Sequence, residues 1–284
     1  MRVATVVIVG AGDAGAELAR QIAVADVVSR VVLIDNLGQT AAGKALDIAQ
    51  SAPVDGYATS VIGTNDVSAV VGAAVVVLAD RAGQTPGEWR DDGGLTLIGR
   101  VAGLNQVAPI VCMGTMQWSL VERGVNELGI PRHRLFGSAP EALRSAVVTI
   151  CALEAGAAPS DVSLSVLGRP SSVIVPWDTA AIAGRAATHV LSAAQLARLD
   201  ARVARLWPPG PFTLAAAAAR MIHSAITRGP RVHMAQVAVT RSEGALGRSA
   251  MMPVLLEPAG IRSLVTPSLS SRDRVRFETT LRME

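Results

Sequence analysis

The sequence predicts an α/β fold in which a doubly wound parallel sheet is followed by an α+β region with antiparallel strands. The first 35 residues have the order strand, glycine-rich turn, helix, strand. Strand-like apolar runs then alternate with helical patterns through the first half of the chain, which predicts a parallel sheet covered on both faces. After Pro140, strand-like runs follow one another with short turns, which is typical of an antiparallel sheet. We therefore expect two domains, residues 1–140 and residues 141–284.

The apolar runs give the expected order of elements. In the first half we predict strands at Thr5–Val9, Arg30–Ile34, 59–62, 74–78, 110–113 and 134–136, with helices between most of them. In the second half we predict helices at 142–155, 194–206 and 214–227. The strands predicted there are 161–167, 172–175, 232–240, 250–256 and 262–265, and a C-terminal helix follows.

A glycine-rich turn follows the first strand, with Gly10, Gly12 and Gly15 in the spacing G-x-G-x-x-G. In a dinucleotide-binding βαβ unit the first glycine allows the tight turn, the second lets the backbone approach a pyrophosphate, and the third lets helix and strand pack closely. The helix that begins near Asp13 and Ala14 would direct free N–H groups and its positive dipole end at the phosphates. The alternative is a glycine turn in another kind of α/β protein.

An acidic residue, Asp35, ends the second strand twenty residues after Gly15. A carboxylate at this distance is placed to accept hydrogen bonds from both ribose hydroxyls of a bound dinucleotide. The next residue is Asn36, and no arginine lies close by in sequence to hold a 2′-phosphate. The sequence therefore predicts NAD rather than NADP as the cofactor.

Composition argues against a membrane protein. Half of the residues are hydrophobic, but the longest apolar stretches, such as residues 70–79, are too short to span a bilayer. Arg2 precedes an apolar run, as in a signal peptide, but that run has the length of one strand and ends in the glycine turn. We therefore expect a soluble cytoplasmic protein with no membrane partner.

The charged and metal-binding residue types form no pattern of a nucleic-acid or metal site. The formal net charge is +3 and the arginines are scattered, with Lys44 as the only lysine, so we predict no nucleic-acid partner. The four histidines lack metal-ligand spacing, so we predict no metal site. Cys112 and Cys151 lie in apolar surroundings and are expected to be buried thiols.

A series of motifs resembles a known enzyme family. The segments are Gly-Lys-Ala-Leu-Asp-Ile-Ala-Gln-Ser at 43–51, Pro-Val-Asp-Gly at 53–56, Gly-Thr-Asn-Asp at 63–66 and Pro-Gly-Glu-Trp-Arg-Asp-Asp at 86–92. They resemble the malate and lactate dehydrogenases, which are NAD-dependent oxidoreductases of 2-hydroxy acids. The likeness covers nearly the whole chain, strongly over residues 5–66 and thinly after about residue 205. It implies a Rossmann domain that binds NAD, a substrate domain, and a 2-oxo or 2-hydroxy acid as ligand.

The resemblance assigns two residues of the mobile substrate loop. Arg90 matches the arginine that closes over the site and polarises the substrate carbonyl, and a plain surface arginine is the alternative. Gln84 matches the specificity position, where malate enzymes have arginine and lactate enzymes commonly have glutamine. Trp89 stands where relatives have a small residue, and it would either fill the mouth of the pocket or pack against the loop.

The catalytic residues of the family are not matched. Relatives exchange a proton through a histidine in a Leu-Gly-x-His-Gly-Asp pattern, but this chain has Pro170 there, which has no side-chain proton to exchange. In an ungapped alignment, the aspartate that orients the histidine falls at Leu143, and the arginine that binds the substrate carboxylate falls at Ala146. A shifted frame offers Glu141 and Arg144 with the same spacing, but the flanking lengths fit better without the shift.

Two segments next to the expected nicotinamide position also differ from the family pattern. Thr115-Met116 replaces the Asn-Pro pair that helps to hold nicotinamide and substrate, and Ala79-Asp80-Arg81 replaces the Thr-Ala-Gly segment under the cofactor. Asp80 and Arg81 are either a new functional pair or, as we expect, an ion pair within a loop.

These matches and losses leave three hypotheses. The first, which we favour, is a pseudoenzyme that binds NAD(H) with weak or absent ordinary activity and acts as a sensor or partner subunit. Loss of a positioned acid–base group alone costs about 10²–10⁴-fold in rate. The second is an active oxidoreductase on a different substrate, with the proton supplied by water, by the substrate or by an unaligned group. Such groups are Glu141, His189, His223 and His233. The third is a structural or regulatory relative without cofactor binding, against which the glycine turn and Asp35 count.

The resemblance also implies a homodimer. In the family the helix that corresponds to residues 42–50 lies at a two-fold subunit interface, and two-fold dimers are the commonest closed assembly. Ala41, Ala42, Ala45 and Ile48 are small or apolar and suit close helix packing, although an ordinary helix facing its own core is the alternative.

Overall fold

Six parallel strands form the first part of the sheet in this computed structural model, which describes residues 4–227, 229–239 and 247–282. The strands are β1 (Thr5–Val9), β2 (Arg30–Ile34), β3 (Ser60–Thr64), β4 (Val75–Leu78), β5 (Ile110–Cys112) and β6 (Leu135–Gly137). The helices between and after them are α1 (Asp13–Ala25), α2 (Gly38–Asp55), α3 (Asp91–Leu104), α4 (Trp118–Asn126) and α5 (Ala139–Ala155). Arg2 and Thr240, which the sequence-based predictions used, lie outside the described residues.

The strand order in this part is β3-β2-β1-β4-β5-β6, with every neighbouring pair parallel. This is the order of a doubly wound sheet, in which the chain turns to one side after β1 and to the other side after β3. The parallel half predicted from the alternating pattern is therefore confirmed.

After α5, the described residues form short strands, four helices and one long hairpin. The first elements are β7 (Val162–Ser163), β8 (Leu167–Arg169), β9 (Ser172–Ile174), β10 (Ala181–Ile182) and β11 (Arg185–Ala186). Helices α6 (Ala187–Val190), α7 (Ala193–Val203) and α8 (Pro211–Ile226) follow. The chain then forms β12 (Arg231–Ala238), β13 (Ser249–Glu257), β14 (Gly260–Leu264) and α9 (Ser271–Arg282).

The antiparallel strands continue the parallel sheet. Strand β12 pairs with the edge of β6 through Gln236 and Gly137 and forms a long antiparallel ladder with β13, which also pairs with β8 and β14. The antiparallel arrangement predicted for the second half is confirmed. In the described residues the two halves share one 11-stranded sheet, and one hydrophobic cluster includes residues from both.

One predicted strand is wrong. The apolar run 161–167 forms two separate strands, because β7 joins a small sheet with β10 and β11 whereas β8 joins the main sheet. The strands β10 and β11 themselves were not predicted, since two residues are too few to show an alternating pattern. Helix α5 begins three residues earlier than predicted, with Pro140 in its first turn, where a proline loses no intrahelical bond.

Apolar side chains cover both faces of the sheet. Along β1, Val6 and Ile8 belong to one buried cluster, while Val7 and Val9 belong to the other. Cys112 and Cys151 are buried free thiols, as predicted, and burial raises the pKa of Cys112 to about 12. Within the described ranges, no helix combines the length and the apolar character needed to cross a membrane.

Of the four residues of helix α2 that the sequence suggested for a subunit interface, Ala42 is exposed and the other three are not. Ala41, Ala45 and Ile48 are buried in the core of the chain itself, so for these three residues the alternative of a core-facing helix is correct. Leu46, with 59% exposure, and Val54, with 87%, lie on the exposed side of the same helix.

Candidate functional site

The candidate site lies at the carboxyl ends of β1 and β4, where the strand order reverses. In doubly wound sheets, ligands bind in the crevice outside the strand ends at this switch point. The glycine turn follows β1, and Ala79 and Asp80 follow β4. The two segments are in direct contact, because the N–H of Gly12 donates to the carbonyl oxygen of Asp80 at 2.7 Å and the N–H of Ala79 donates to that of Val9 at 2.9 Å.

This contact explains the glycines of the turn. Gly10 has a φ of +124°, and a Cβ atom there would lie 2.5 Å from the carbonyl oxygen of Asp80. A Cβ at Gly15 would lie 2.1 Å from the carbonyl oxygen of Gly10, so helix α1 and the turn approach too closely for any side chain. Gly10 and Gly15 thus have the turn and packing positions that the motif predicts.

The amino end of α1 is bonded to the side chain of Asp80. The N–H of Gly15 donates to Oδ1 of Asp80 at 2.8 Å, and the N–H of Ala14 donates to Oδ2 at 3.3 Å. A helix amino terminus carries free N–H groups and a positive partial charge, and it is a ready site for an anion. The carboxylate of Asp80 therefore stands where the sequence predicts a phosphate.

The predicted ion pair between Asp80 and Arg81 is wrong, because the two side chains bond in different directions. The guanidinium of Arg81 lies 4.7 Å from the ring centroid of Trp89, a cation–π contact, and it donates to the carbonyl oxygens of Gly87 and Glu88. Trp89 therefore packs against its own loop, which was one of its two expected roles.

Asp35 is buried at the end of β2 and accepts three backbone hydrogen bonds. Its Oδ2 accepts from Ala11 at 2.8 Å and from Ala82 at 2.9 Å, and its Oδ1 accepts from Leu37 at 3.0 Å. A carboxylate has about four acceptor positions, so Oδ1 keeps one for a further donor such as a ribose hydroxyl. The same side chain thus fixes the glycine turn and the segment after β4.

Lys44 supplies a positive charge at the outer side of the turn. Its Nζ donates to the carbonyl oxygen of Gly12 at 3.1 Å and lies 3.5 Å from the carboxylate of Asp13. The side chain of Asp13 is 93% exposed, so this contact contributes little to stability, but it places an ammonium group at the entrance to the turn.

A second carboxylate closes the crevice further along. Glu88 accepts at Oε1 from the N–H and the hydroxyl of Thr115, both at 3.0 Å, and at Oε2 from the N–H of Met116 at 2.7 Å. Glu88 and Asp80 line one pocket of about 280 Å³, which Ala14, Thr115, Pro208 and Leu214 also line.

The two loop residues assigned by resemblance differ in their exposure to solvent. Gln84 is exposed, and Arg90 is half-buried at the residue before α3. The Nε atom of Arg90 is buried, and it makes no hydrogen bond to any residue that the structure describes. A guanidinium with a buried donor left over has capacity for an anionic ligand.

The ungapped alignment sets Pro170, Leu143 and Ala146 at the catalytic positions of the family, and their side chains carry no group that exchanges protons. Pro170 is in the two-residue turn of the hairpin formed by β8 and β9. Leu143 is fully buried in the hydrophobic core, and Ala146 is on the same helix, α5. Their hydrocarbon side chains hold neither a proton to transfer nor a charge to bind a carboxylate.

The acid and arginine of the shifted frame form a real pair. Glu141 is buried and receives two hydrogen bonds from Arg144, at 2.6 Å and 3.1 Å, and one from the N–H of Met234 at 2.8 Å. Nδ1 of His233 lies 3.6 Å from Oε1 of Glu141, and Nε2 of the same ring lies 2.8 Å from the hydroxyl of Ser224.

The surroundings of Glu141 fix its charge. Burial by itself raises the pKa of Glu141, but the adjacent Nδ1 of His233, the hydrogen bonds and charge of Arg144 and the N–H of Met234 outweigh burial and hold it at about 2. Glu141 is therefore a carboxylate at neutral pH and has no proton to give.

Sequence reasoning missed Asp80 and Glu88 as occupants of the crevice and His233 as the neighbour of Glu141. The replacement of Thr-Ala-Gly by Ala79-Asp80-Arg81 was the available signal for Asp80, since it places a charge at the end of β4. Nothing in the sequence joins His233 to Glu141, because strand β12 and helix α5 meet only in the folded chain.

The turn fits the diphosphate of a dinucleotide in its chemistry. The carboxylate of Asp80 already occupies the N–H groups of α1, which demonstrates that this end of the helix holds an anion. A Cβ at Gly12 would lie 2.1 Å from Oδ2 of Asp80, so only glycine allows an anion to come this close. A diphosphate at this helix end would take the two N–H groups that Asp80 holds in this structure.

The sequence of this chain is similar to those of known proteins. Residues 4–98 match the family model described as lactate/malate dehydrogenase, NAD binding domain. The chain is 26% identical over 283 residues to a malate dehydrogenase of Thermomicrobium roseum, covering 94% of this chain and 91% of that protein. It is 28% identical over 303 residues to a malate dehydrogenase of Trichormus variabilis, with coverages of 98% and 91%.

Solved structures share the fold over the whole chain. A lactate dehydrogenase of Cryptosporidium parvum, solved with lactic acid and nicotinamide adenine dinucleotide, has a TM-score of 0.87 at 21% identity and covers 99% of this chain and 96% of its own. The malate dehydrogenase of Aeropyrum pernix has a TM-score of 0.84 at 16% identity, with coverages of 98% and 95%. At these identities the likeness establishes the fold.

The buried carboxylate of Glu141 leads to a prediction about acid stability. Its pKa in the folded chain, about 2, is below the ordinary value of about 4.3 for an unfolded glutamate, so its contribution is present above that value and is lost as the pH falls through 2. We expect urea denaturation to show that the wild type loses on the order of 3 kcal/mol more than Glu141→Gln over this window.

The control for this measurement is Glu154→Gln. Glu154 pairs with Arg198, whose side chain is 63% exposed, and solvent weakens such a pair. The hydrogen bond from Arg198 lowers the pKa of Glu154 too, but solvent screens this pair, so Glu154→Gln should change the pH dependence much less than Glu141→Gln does. If the two variants change it equally little, the coupling assigned to Glu141 is wrong.

Proposed function

The chain belongs to the malate/lactate dehydrogenase family of NAD-binding oxidoreductases, and from that premise we propose that it binds NAD(H) with weak or absent turnover of malate or lactate. The cofactor of the family is NAD, which supplies hydride transfer when bound. What the protein must add is orientation of the substrate and exchange of one proton. The proposal concerns these two contributions.

One observation carries the proposal: the position of the family's proton-exchanging histidine is Pro170, in a hairpin turn. Absence of a positioned acid–base group costs about 10²–10⁴-fold in rate. The position of the carboxylate-binding arginine is Ala146 in the ungapped alignment, so a bidentate contact with the substrate is missing as well. The absence of both groups together would leave turnover of malate or lactate close to undetectable.

The network around Glu141 supports the same proposal. In the shifted frame, Glu141 and Arg144 would be the orienting acid and the substrate arginine. Their guanidinium and carboxylate are bonded to each other, so the pair is largely neutralised within the chain. His233 is buried against Ser224, with only 2% of the residue exposed to solvent.

Arg90 supports a second candidate function, an oxidoreductase that acts on a different substrate. Its buried Nε has capacity for an anionic group, as expected of an arginine that closes over a 2-oxo or 2-hydroxy acid. In that case water or the substrate itself would supply the proton.

We expect NADH to bind with a dissociation constant in the micromolar range and more tightly than NADPH. The carboxylate of Asp35, at the end of β2, would repel a 2′-phosphate but accept from a hydroxyl. Calorimetric titration with each nucleotide measures both constants. Absence of saturable NADH binding at roughly a hundred micromolar would contradict the proposal.

The purified protein should not reduce oxaloacetate or pyruvate with NADH at neutral pH. Pro170→His alone should not restore activity, because the carboxylate contact is missing too and residues that act as a unit are not additive. The assay follows NADH absorbance with a panel of 2-oxo acids. Robust turnover would refute the proposal, and turnover that disappears in Arg90→Ala would establish the second candidate instead.

We also propose a cytoplasmic homodimer in which α2 contributes its exposed side. Leu46 is the central exposed apolar residue of that side, and burying it would favour association. Light scattering should give twice the chain mass of 29.3 kDa at micromolar concentration and a lower mass for Leu46→Glu. Val107→Glu, at an exposed loop residue, is the control. A wild-type monomer would contradict the proposal.

A further inference from the structure

We propose that Asp80 is a built-in competitor for the diphosphate of the cofactor and that it sets the affinity of the chain for NAD. This inference rests on the proposed function, since it concerns the same crevice. It goes beyond that function because it makes one side chain at the end of β4 the determinant of affinity.

The carboxylate of Asp80 uses the same N–H groups that a bound diphosphate would use. The N–H groups of Ala14 and Gly15, which are free in an isolated helix end, both donate to the carboxylate of Asp80. A diphosphate bound by the amino end of α1 needs these same N–H groups. A donor that points at one anion cannot serve another, so the two occupants exclude each other.

The carboxylate of Asp80 also occupies the space next to Gly12. Oδ2 of Asp80 lies 2.1 Å from the position that a Cβ of Gly12 would take. The second glycine of the motif is the one over which the backbone approaches a pyrophosphate. Gly12 has no side chain, and the carboxylate of Asp80, which follows the neighbouring strand β4, fills the space that this leaves open.

Contacts with neighbouring residues support Asp80. Its carbonyl oxygen accepts from Gly12, and an isolated backbone bridge joins Asp80 to Glu88. The carboxylate of Glu88 is bonded in turn to Thr115 and Met116. The backbone around Asp80 is held from both sides, so only rotation of its side chain can release the helix end.

The consequence is a competition within one molecule. NAD binds the fraction of molecules in which Asp80 has left the helix end, and the apparent dissociation constant is the intrinsic constant divided by this fraction. Removal of the carboxylate should tighten binding at least tenfold, both because the N–H groups become free and because a like charge next to the diphosphate is removed.

The experiment uses the full chain and two variants of Asp80. Asp80→Ala removes the carboxylate, and Asp80→Asn removes the charge but keeps one acceptor oxygen, which preserves the local shape. Glu17→Gln is the matched control, because it removes one negative charge from α1, the helix to which Asp80 is bonded, at a side chain bonded to Arg20 and Gln21. Each protein is titrated with inorganic pyrophosphate and with NADH by calorimetry, and its melting temperature is recorded.

Pyrophosphate tests the helix end alone, whereas NADH tests the whole cofactor site. We expect pyrophosphate to bind Asp80→Ala and to raise its melting temperature, with no such effect on the wild type or on Glu17→Gln. The NADH dissociation constant should fall at least tenfold in Asp80→Ala and by less in Asp80→Asn.

The two ligands separate this inference from the proposed function. Pyrophosphate binding to Asp80→Ala alone, without NADH binding to any protein, would support the role of Asp80 and refute NAD binding. Equal NADH constants in the wild type and Asp80→Ala would overturn the role of Asp80 and leave NAD binding intact. Absence of binding of both ligands to every protein would overturn both.

Discussion

The close approach of the glycine turn to the end of β4 is the constraint on which the rest of the site depends. Gly10 and Gly12 meet the backbone of Asp80 at distances that exclude side chains, and Gly15 meets Gly10 in the same way. The carboxylate of Asp35 joins the two segments of this junction by accepting hydrogen bonds from the N–H groups of Ala11 and Ala82. One packing arrangement therefore joins β1, α1, β2 and β4, and it also creates the pocket at the strand ends.

The electrostatics of that junction follow from a single feature, the positive end of α1. Such an end attracts whichever anion is closest, and the nearest one here belongs to the protein itself. A carboxylate on the opposing strand has a very high effective concentration compared with any ligand in solution. Asp80 and Glu88 accept hydrogen bonds from backbone N–H groups of the crevice, so these donors are already bonded within the chain.

Around Glu141, charged side chains are paired with other groups inside the protein. Glu141 of α5 accepts from Arg144 of the same helix and from the backbone of β12, and His233 of β12 bonds to Ser224 of α8. This buried network connects α5, β12 and α8. A buried carboxylate that loses its partners is costly, so these residues contribute to the architecture whether or not a ligand binds.

The sequence by itself determined the order of the elements in the first half, its parallel sheet, the glycine turn and the resemblance to the family. These features depend on local periodicity and spacing, which survive without any knowledge of distant contacts. Only the tertiary structure decided that 161–167 forms two strands in two sheets, that Ala41, Ala45 and Ile48 face the core, and that Asp80 bonds to α1 rather than to Arg81. Each of these depends on which groups far apart in the chain become neighbours. An aspartate bonds to the nearest unsatisfied donors, and those donors were 65 and 66 residues away.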